Sequence, residues 1–112
     1  MKRPNLNRIL WLETILPTPD GAGGVVETWH KLGTLWAEIT PRSGREITGE
    51  AGPLAVGTFR ITVRAAPSGA SNRPVAGQRF RLGDRMFSIL AVSESDPAGM
   101  YLACDAREEV AA

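Results

Sequence analysis

The chain has 112 residues, 43% of them hydrophobic, and a formal net charge of +1. That length suits one domain with a real core, and the near-neutral balance argues against nucleic-acid binding through bulk positive charge. A single cysteine, Cys104, excludes an intrachain disulfide and a metal cluster built on thiols.

The N-terminus, MKRPNLNRILWLETIL, starts basic but carries Glu13 and has no small-residue cleavage site, so it does not read as a secretory signal. No apolar run approaches the roughly 20 residues of a membrane-spanning helix, and the chain is expected to be made in the cytoplasm with no membrane partner. Residues 1–7 read as an arm. Arg8–Leu16 is a predicted strand, ended by the exposed and mobile turn signal PTPDGAGG. Val25–Lys31 is a second strand, broken near Gly33. Thr34–Thr40 is a third, with Leu35, Ala37 and Ile39 on one face and Trp36, Glu38 and Thr40 on the other.

Residues 41–57 never settle into a two-residue period and hold four glycines and two prolines. Ser43 and Glu46 have the spacing of a capping box on a short helical turn; a long irregular loop is the other reading. Loops of this length in a small domain are usually functional. Thr58–Ala65 then alternates cleanly, with Phe59, Ile61, Val63 and Ala65 opposite Thr58, Arg60, Thr62 and Arg64.

After a loop, APSGASNRPVAG, the run QRFRLGDRMFSILAV reads as a hairpin. Gly83-Asp84 suits a type II′ turn. Met86–Val92 is apolar on both faces and is expected to be the most central strand. Met100–Arg107 is the last strand, with Met100, Leu102 and Cys104 toward the core, and residues 108–112 form a tail. The sum is a single all-β domain: a small antiparallel barrel or sandwich of about six to seven strands with one long irregular loop.

Catalysis finds little support. His30 is the only histidine, and nothing places a nucleophile and an orienting carboxylate around it. Phosphate-loop and metalloprotease motifs are lacking, and no cofactor or metal is expected. The cations are 11 arginines and 2 lysines. Arg60 and Arg64 share one strand face, and Arg79 and Arg81 another. If those strands are neighbours, four guanidiniums form a stripe able to contact phosphates or carboxylates; a solvated strand face is the plainer account. Trp36, beside Glu38, is a candidate for a subunit interface or for a cover over the barrel.

Taken in order, GG…ETW at Gly23–Trp29, WAEITPRSGRE at Trp36–Glu46, RITVR at Arg60–Arg64 and RMFSILAV at Arg85–Val92 make a recognisable series. The chain resembles the phage head–tail joining family (head closure, stopper or head–tail adaptor proteins) from about Arg8 to Glu108. It departs from the family pattern at Ala65-Ala66 and at Asp84-Arg85, which bear on packing. The resemblance implies a structural virion protein of a phage or a gene transfer agent, not an enzyme. It implies a homo-oligomeric ring at the head–tail junction, six-fold or twelve-fold, with six favoured because a tail is usually six-fold. One side would meet the adaptor and portal, the other the tail terminator or tail tube, with packaged double-stranded DNA in the channel. It also implies that the stretch around Arg42, Ser43, Gly44, Arg45, Glu46, Gly49, Glu50 and Gly52 is a channel-gating loop. The alternative reading is a small nucleic-acid-binding barrel that uses the arginine-rich face.

Overall fold

The computed structural model describes residues 3–43, 46–49, 52–55 and 57–109, of which 43, 46–49 and 52–55 are described as backbone. The strands in chain order are β1 (Arg8–Pro19), β2 (Val25–Ser43), β3 (Glu46–Gly49), β4 (Gly52–Ala55), β5 (Thr58–Arg64), β6 (Arg79–Leu82), β7 (Arg85–Glu94) and β8 (Tyr101–Glu108). Six of them close an antiparallel barrel in the order β1-β2-β5-β8-β7-β6, and β1–β6 pairing seals the ring. There is no helix among the described residues.

A six-stranded barrel is narrow enough for side chains to fill it. Here the filling comes from the inward halves of the alternations: Leu10 and Leu12, Ala37, Ile61 and Val63, Phe80, Phe87 and Ile89, and Leu102, Cys104 and Ala106, all buried. Phe59 and Phe87 meet edge to face with ring centroids 5.4 Å apart, a favoured aromatic geometry. Burial pushes the Cys104 thiol up to about 12, so this sulfur acts as a small apolar group.

Several sequence expectations are corrected by the backbone. The break at Gly33 is a β-bulge inside one 19-residue strand: Leu12 pairs with Gly33 and Glu13 with Lys31, which leaves Leu32 unopposed and packed against the core. The turn expected over residues 17–24 shrinks to Asp20–Gly24. There the Asp20 carboxylate accepts the backbone N–H groups of Ala22 at 2.8 Å and Gly24 at 2.9 Å. Those two hydrogen bonds hold the Asp20 carboxyl below its usual range. β7 is not a central strand, because a closed barrel has none; Leu90 sits at a bulge and is half exposed. Met100 lies just before β8 and is also half exposed. The Gly83-Asp84 connection is as expected, with Gly83 at φ +59° and no positive φ at Asp84.

Residues 41–57 are not wholly irregular. β2 runs on through Ser43, and β3 and β4 form a hairpin with Gly49 opposite Gly52, paired with no barrel strand. An extended backbone at Glu46 removes the helical capping box. Gly44, Arg45 and Glu50 lie outside the described residues. The roots of the hairpin are held by β8. Arg42 Nη1 lies 2.9 Å from the Asp105 carboxylate, and the Glu108 N–H donates to the Gly57 carbonyl at 3.0 Å.

A second projection leaves the other end of β2. Only Trp11–Glu13 of β1 pair with β6, and only residues 37–43 of β2 pair with β5. The Thr14–His30 part of the β1–β2 hairpin is therefore a two-stranded ribbon with no third strand beside it.

Candidate assembly surface

Alternation along β1 and β2 sends Leu10 and Leu12 into the barrel and Ile9, Trp11 and Glu13 out of it. Across the ladder, Ile9 faces Trp36, Trp11 faces Thr34, Glu13 faces Lys31 and Ile15 faces Trp29. All three tryptophans of the chain thus lie on one outer wall and none is in the core. Trp36 is 56% exposed and Trp11 43%.

Cations are layered over these rings. Lys31 Nζ sits 4.2 Å from the centre of the Trp11 ring, and the Arg79 guanidinium 4.1 Å from that of Trp29, both within cation–π range. Beneath Arg79 lies Glu13, buried although it points away from the core. Arg79 Nε donates to its carboxylate at 2.7 Å, Arg81 Nη1 stands 4.0 Å from its second oxygen, and Glu109 approaches Arg79 at 3.9 Å. This wall is pinned by a buried charge cluster roofed by an indole.

The arginines singled out in the sequence do not form one stripe. In the ring order, β5 and β6 are separated by β8 and β7 on one side and by β2 and β1 on the other. Arg79 and Arg81 are engaged with Glu13. Arg60 and Arg64 are exposed on β5, with Arg64 5.9 Å from the Tyr101 ring centre. Trp36 and Arg64 line one shallow groove together with Leu6 and Ala65. Glu38 shares the outer face of β2 with Trp36 and is engaged by the N-terminal arm, accepting the Asn5 N–H at 2.8 Å. His30 shares a 2.8 Å hydrogen bond with the Thr28 hydroxyl on the exposed ribbon.

From the sequence, Trp11 and Trp29 read only as core or interface tryptophans, and Glu13 and Lys31 are not singled out. For Trp11 and Glu13 the signal is the Leu-Trp-Leu-Glu alternation of residues 10–13, which places a tryptophan and a carboxylate on the outer face; Trp29 and Lys31 join them only through the β1–β2 register. That Glu13 would be buried there follows only from the β1–β6 closure.

The family model described as "Phage head completion protein" matches residues 1–109. The chain belongs to the phage head completion protein family. It is a structural virion protein. A chain in a structure titled "Virion of native gene transfer agent (GTA) particle" is 55% identical. The match covers 98% of this chain and 100% of that chain, with a TM-score of 0.84. The solution structure of protein SF1141 from Shigella flexneri 2a is 27% identical over 100% of both chains, with a TM-score of 0.71. The comparison with curated proteins finds no match.

Proposed function

We propose that the protein is a ring-forming stopper at the head–tail junction of a phage-type particle. The observation that carries this reading is the family match over residues 1–109, reinforced by the 55% identity to a chain of a gene transfer agent virion. Copies of this chain form a closed ring, six-fold in register with a tail. The adaptor and portal lie on the capsid side, the tail terminator or tail tube on the other, and double-stranded DNA in the channel.

The fold suits that role. A closed barrel leaves no free edge for strand addition, apart from its projections, so subunits must meet through side-chain faces. The β3–β4 hairpin is the gating element: it pairs only with itself while both of its roots are held by β8. A segment so attached can swing as a unit without unmaking the barrel. The reading is structural rather than catalytic. The nucleic-acid module loses its main support, because its four arginines are split between strands that are not neighbours.

The test is to replace residues 44–56 by a short Gly/Ser linker and image the particles. The expected result is a ring retained at the junction with heads that lose their DNA. Tailed particles that hold their genome normally would show that the hairpin does not gate.

A further inference from the structure

The Thr14–His30 ribbon leaves the barrel with no strand beside it. A two-stranded hairpin alone is marginal in water, so whatever covers this one also stabilises it. Alternation gives the ribbon two faces. On one, Thr18, Thr28 and His30 are linked by hydrogen bonds of 2.7 and 2.8 Å. The other carries Ile15, Pro17, Val25, Glu27 and Trp29 in register. Ile15 and Val25 are exposed there, Val25 at 66%, and the exposed Glu27 makes no ion pair among the described residues. Thr14–His30 contains no lysine or arginine, and its charged groups are Asp20 and Glu27. The cations at its base, Lys31 and Arg79, lie over the Trp11 and Trp29 rings. The projection is apolar and acidic.

The outer wall of β2, β5 and β8 has the opposite character. Its carboxylates are engaged: Glu38 accepts the Asn5 N–H, Asp96 accepts the N–H groups of Met100 and Tyr101 at 3.2 and 2.9 Å, and Asp105 holds Arg42. Arg3, Arg60, Arg64 and Arg107 make no ion pair among the described residues. Two grooves open along the N-terminal arm. One, of about 640 Å³ beside Arg3 and Pro4, has Thr40, Arg60, Met100 and Tyr101 in its lining. The other, beside Leu6, is lined by Trp36, Arg64 and Ala65. Glu94, next to Gly99 in the turn before β8, lines neither groove. Each groove sets apolar side chains beside an arginine that lacks a carboxylate.

We infer that the Ile15–Val25–Glu27 face of the ribbon docks on the outer β2–β5 wall of a second copy of this chain, with Glu27 between Arg60 and Arg64. This assignment rests on the ring reading above and adds which surfaces make the ring. Charge selects the occupant: an acidic ribbon without cations meets a wall whose cations are free and whose carboxylates are not. Apolar groups match as well, since Ile15 and Val25 bring to the grooves what Leu6, Trp36 and Met100 lack. Packaged DNA would answer the arginines through its phosphates but would leave those apolar groups uncovered. Two different surfaces on one chain are what a head-to-tail ring requires.

The test is charge reversal with rescue, at positions that are all exposed. Glu27→Arg should keep the wild-type circular dichroism and enter particles about tenfold less, because it sets like charges together. Arg60→Glu with Arg64→Glu should do the same. All three substitutions in one chain restore opposite charges and should restore most of the entry. Wild-type entry of Glu27→Arg, or no rescue in the combined chain, overturns the assignment. DNA loss from the arginine reversals with Glu27→Arg silent would give the wall to the duplex instead and overturns it too. A second measurement places Val25→Cys and Thr40→Cys in one chain, the native Cys104 being buried, and treats assembled particles with a short bismaleimide. A ladder of covalent oligomers beyond the dimer is expected. Dimers from Val25→Cys alone would mean that ribbons meet each other, which contradicts the inference. No cross-link, with ring density still at the junction, removes the interface and leaves the ring standing. Wild-type particles with no ring of this chain remove both.

Discussion

Removing Arg79 tests how the outer wall is held. Its Nε lies 2.7 Å from Glu13, and the two side chains are only 12% and 7% exposed. Breaking a buried pair by deleting one partner leaves an uncompensated charge, typically at about 3–5 kcal/mol. Arg81 remains at 4.0 Å from the other Glu13 oxygen, and at an effective dielectric near 20 it retains about two-thirds of the Coulomb attraction. Arg79→Ala should therefore fall at the lower end, about 3 kcal/mol, including the lost stacking on Trp29. For a domain of this size that lowers the melting temperature by roughly 10–20 °C. Glu13→Gln should cost less, because the amide oxygen still accepts from Arg79 and Glu109, 3.9 Å from Arg79, remains to offset its charge. The assay is urea denaturation of Arg79→Ala, Glu13→Gln and the double variant, at low and at 0.5 M salt. The expected cycle shows strong coupling that salt barely changes, since a buried pair is poorly screened. A loss for Arg79→Ala within about 0.5 kcal/mol of wild type would refute the reasoning.

Leu102→Ala, at a fully buried barrel position, should cost about 3 kcal/mol in denaturation experiments, while Leu90→Ala on the outer bulge should change stability by less than about 1 kcal/mol. Cys104 should stay unreactive toward a thiol reagent at pH 8 while the barrel is folded and react at the unfolding rate; rapid labelling of native protein would place the sulfur elsewhere. The two-pronged hydrogen bond from Arg85, at 2.8 and 3.0 Å, holds the Glu108 carboxyl below its ordinary 4.5. Because the folded value is depressed, this pair stabilises the fold above pH 4.5 and the contribution fades as pH falls through the folded-state midpoint. NMR titration of Arg85→Ala should show the Glu108 midpoint moving up toward the ordinary value; an unmoved midpoint would rule out this cause.

Much of the barrel was legible because its alternations are clean. Phe59, Ile61 and Val63 against Arg60, Thr62 and Arg64 gave strand, face and core together, and Gly83-Asp84 gave the hairpin. What local pattern cannot carry is what closure does. Glu13 reads as a surface carboxylate until β6 is seen beside β1. Arg60, Arg64, Arg79 and Arg81 read as one stripe until the ring order sets β5 and β6 apart. Gly33 reads as a break because a bulge and a strand end share the same local signal, and only the continued pairing of β1 distinguishes them. Residues 46–55 read as a loop because strands of four residues bounded by glycines are too short to show a period. The candidate surface is half visible: Trp36 and Arg64 stand out in the sequence and line one groove in the fold, whereas Trp11 and Trp29 join them through the β1–β2 register.

The central claim is that this chain forms a closed ring between head and tail. The most direct measurement is a cryo-EM reconstruction of the junction in particles carrying the wild-type chain, without imposed symmetry. The expected map shows six copies of the six-stranded barrel around the channel, each with its β3–β4 hairpin toward the axis. A junction occupied by other proteins, with this chain absent or present as scattered single copies, would contradict the account.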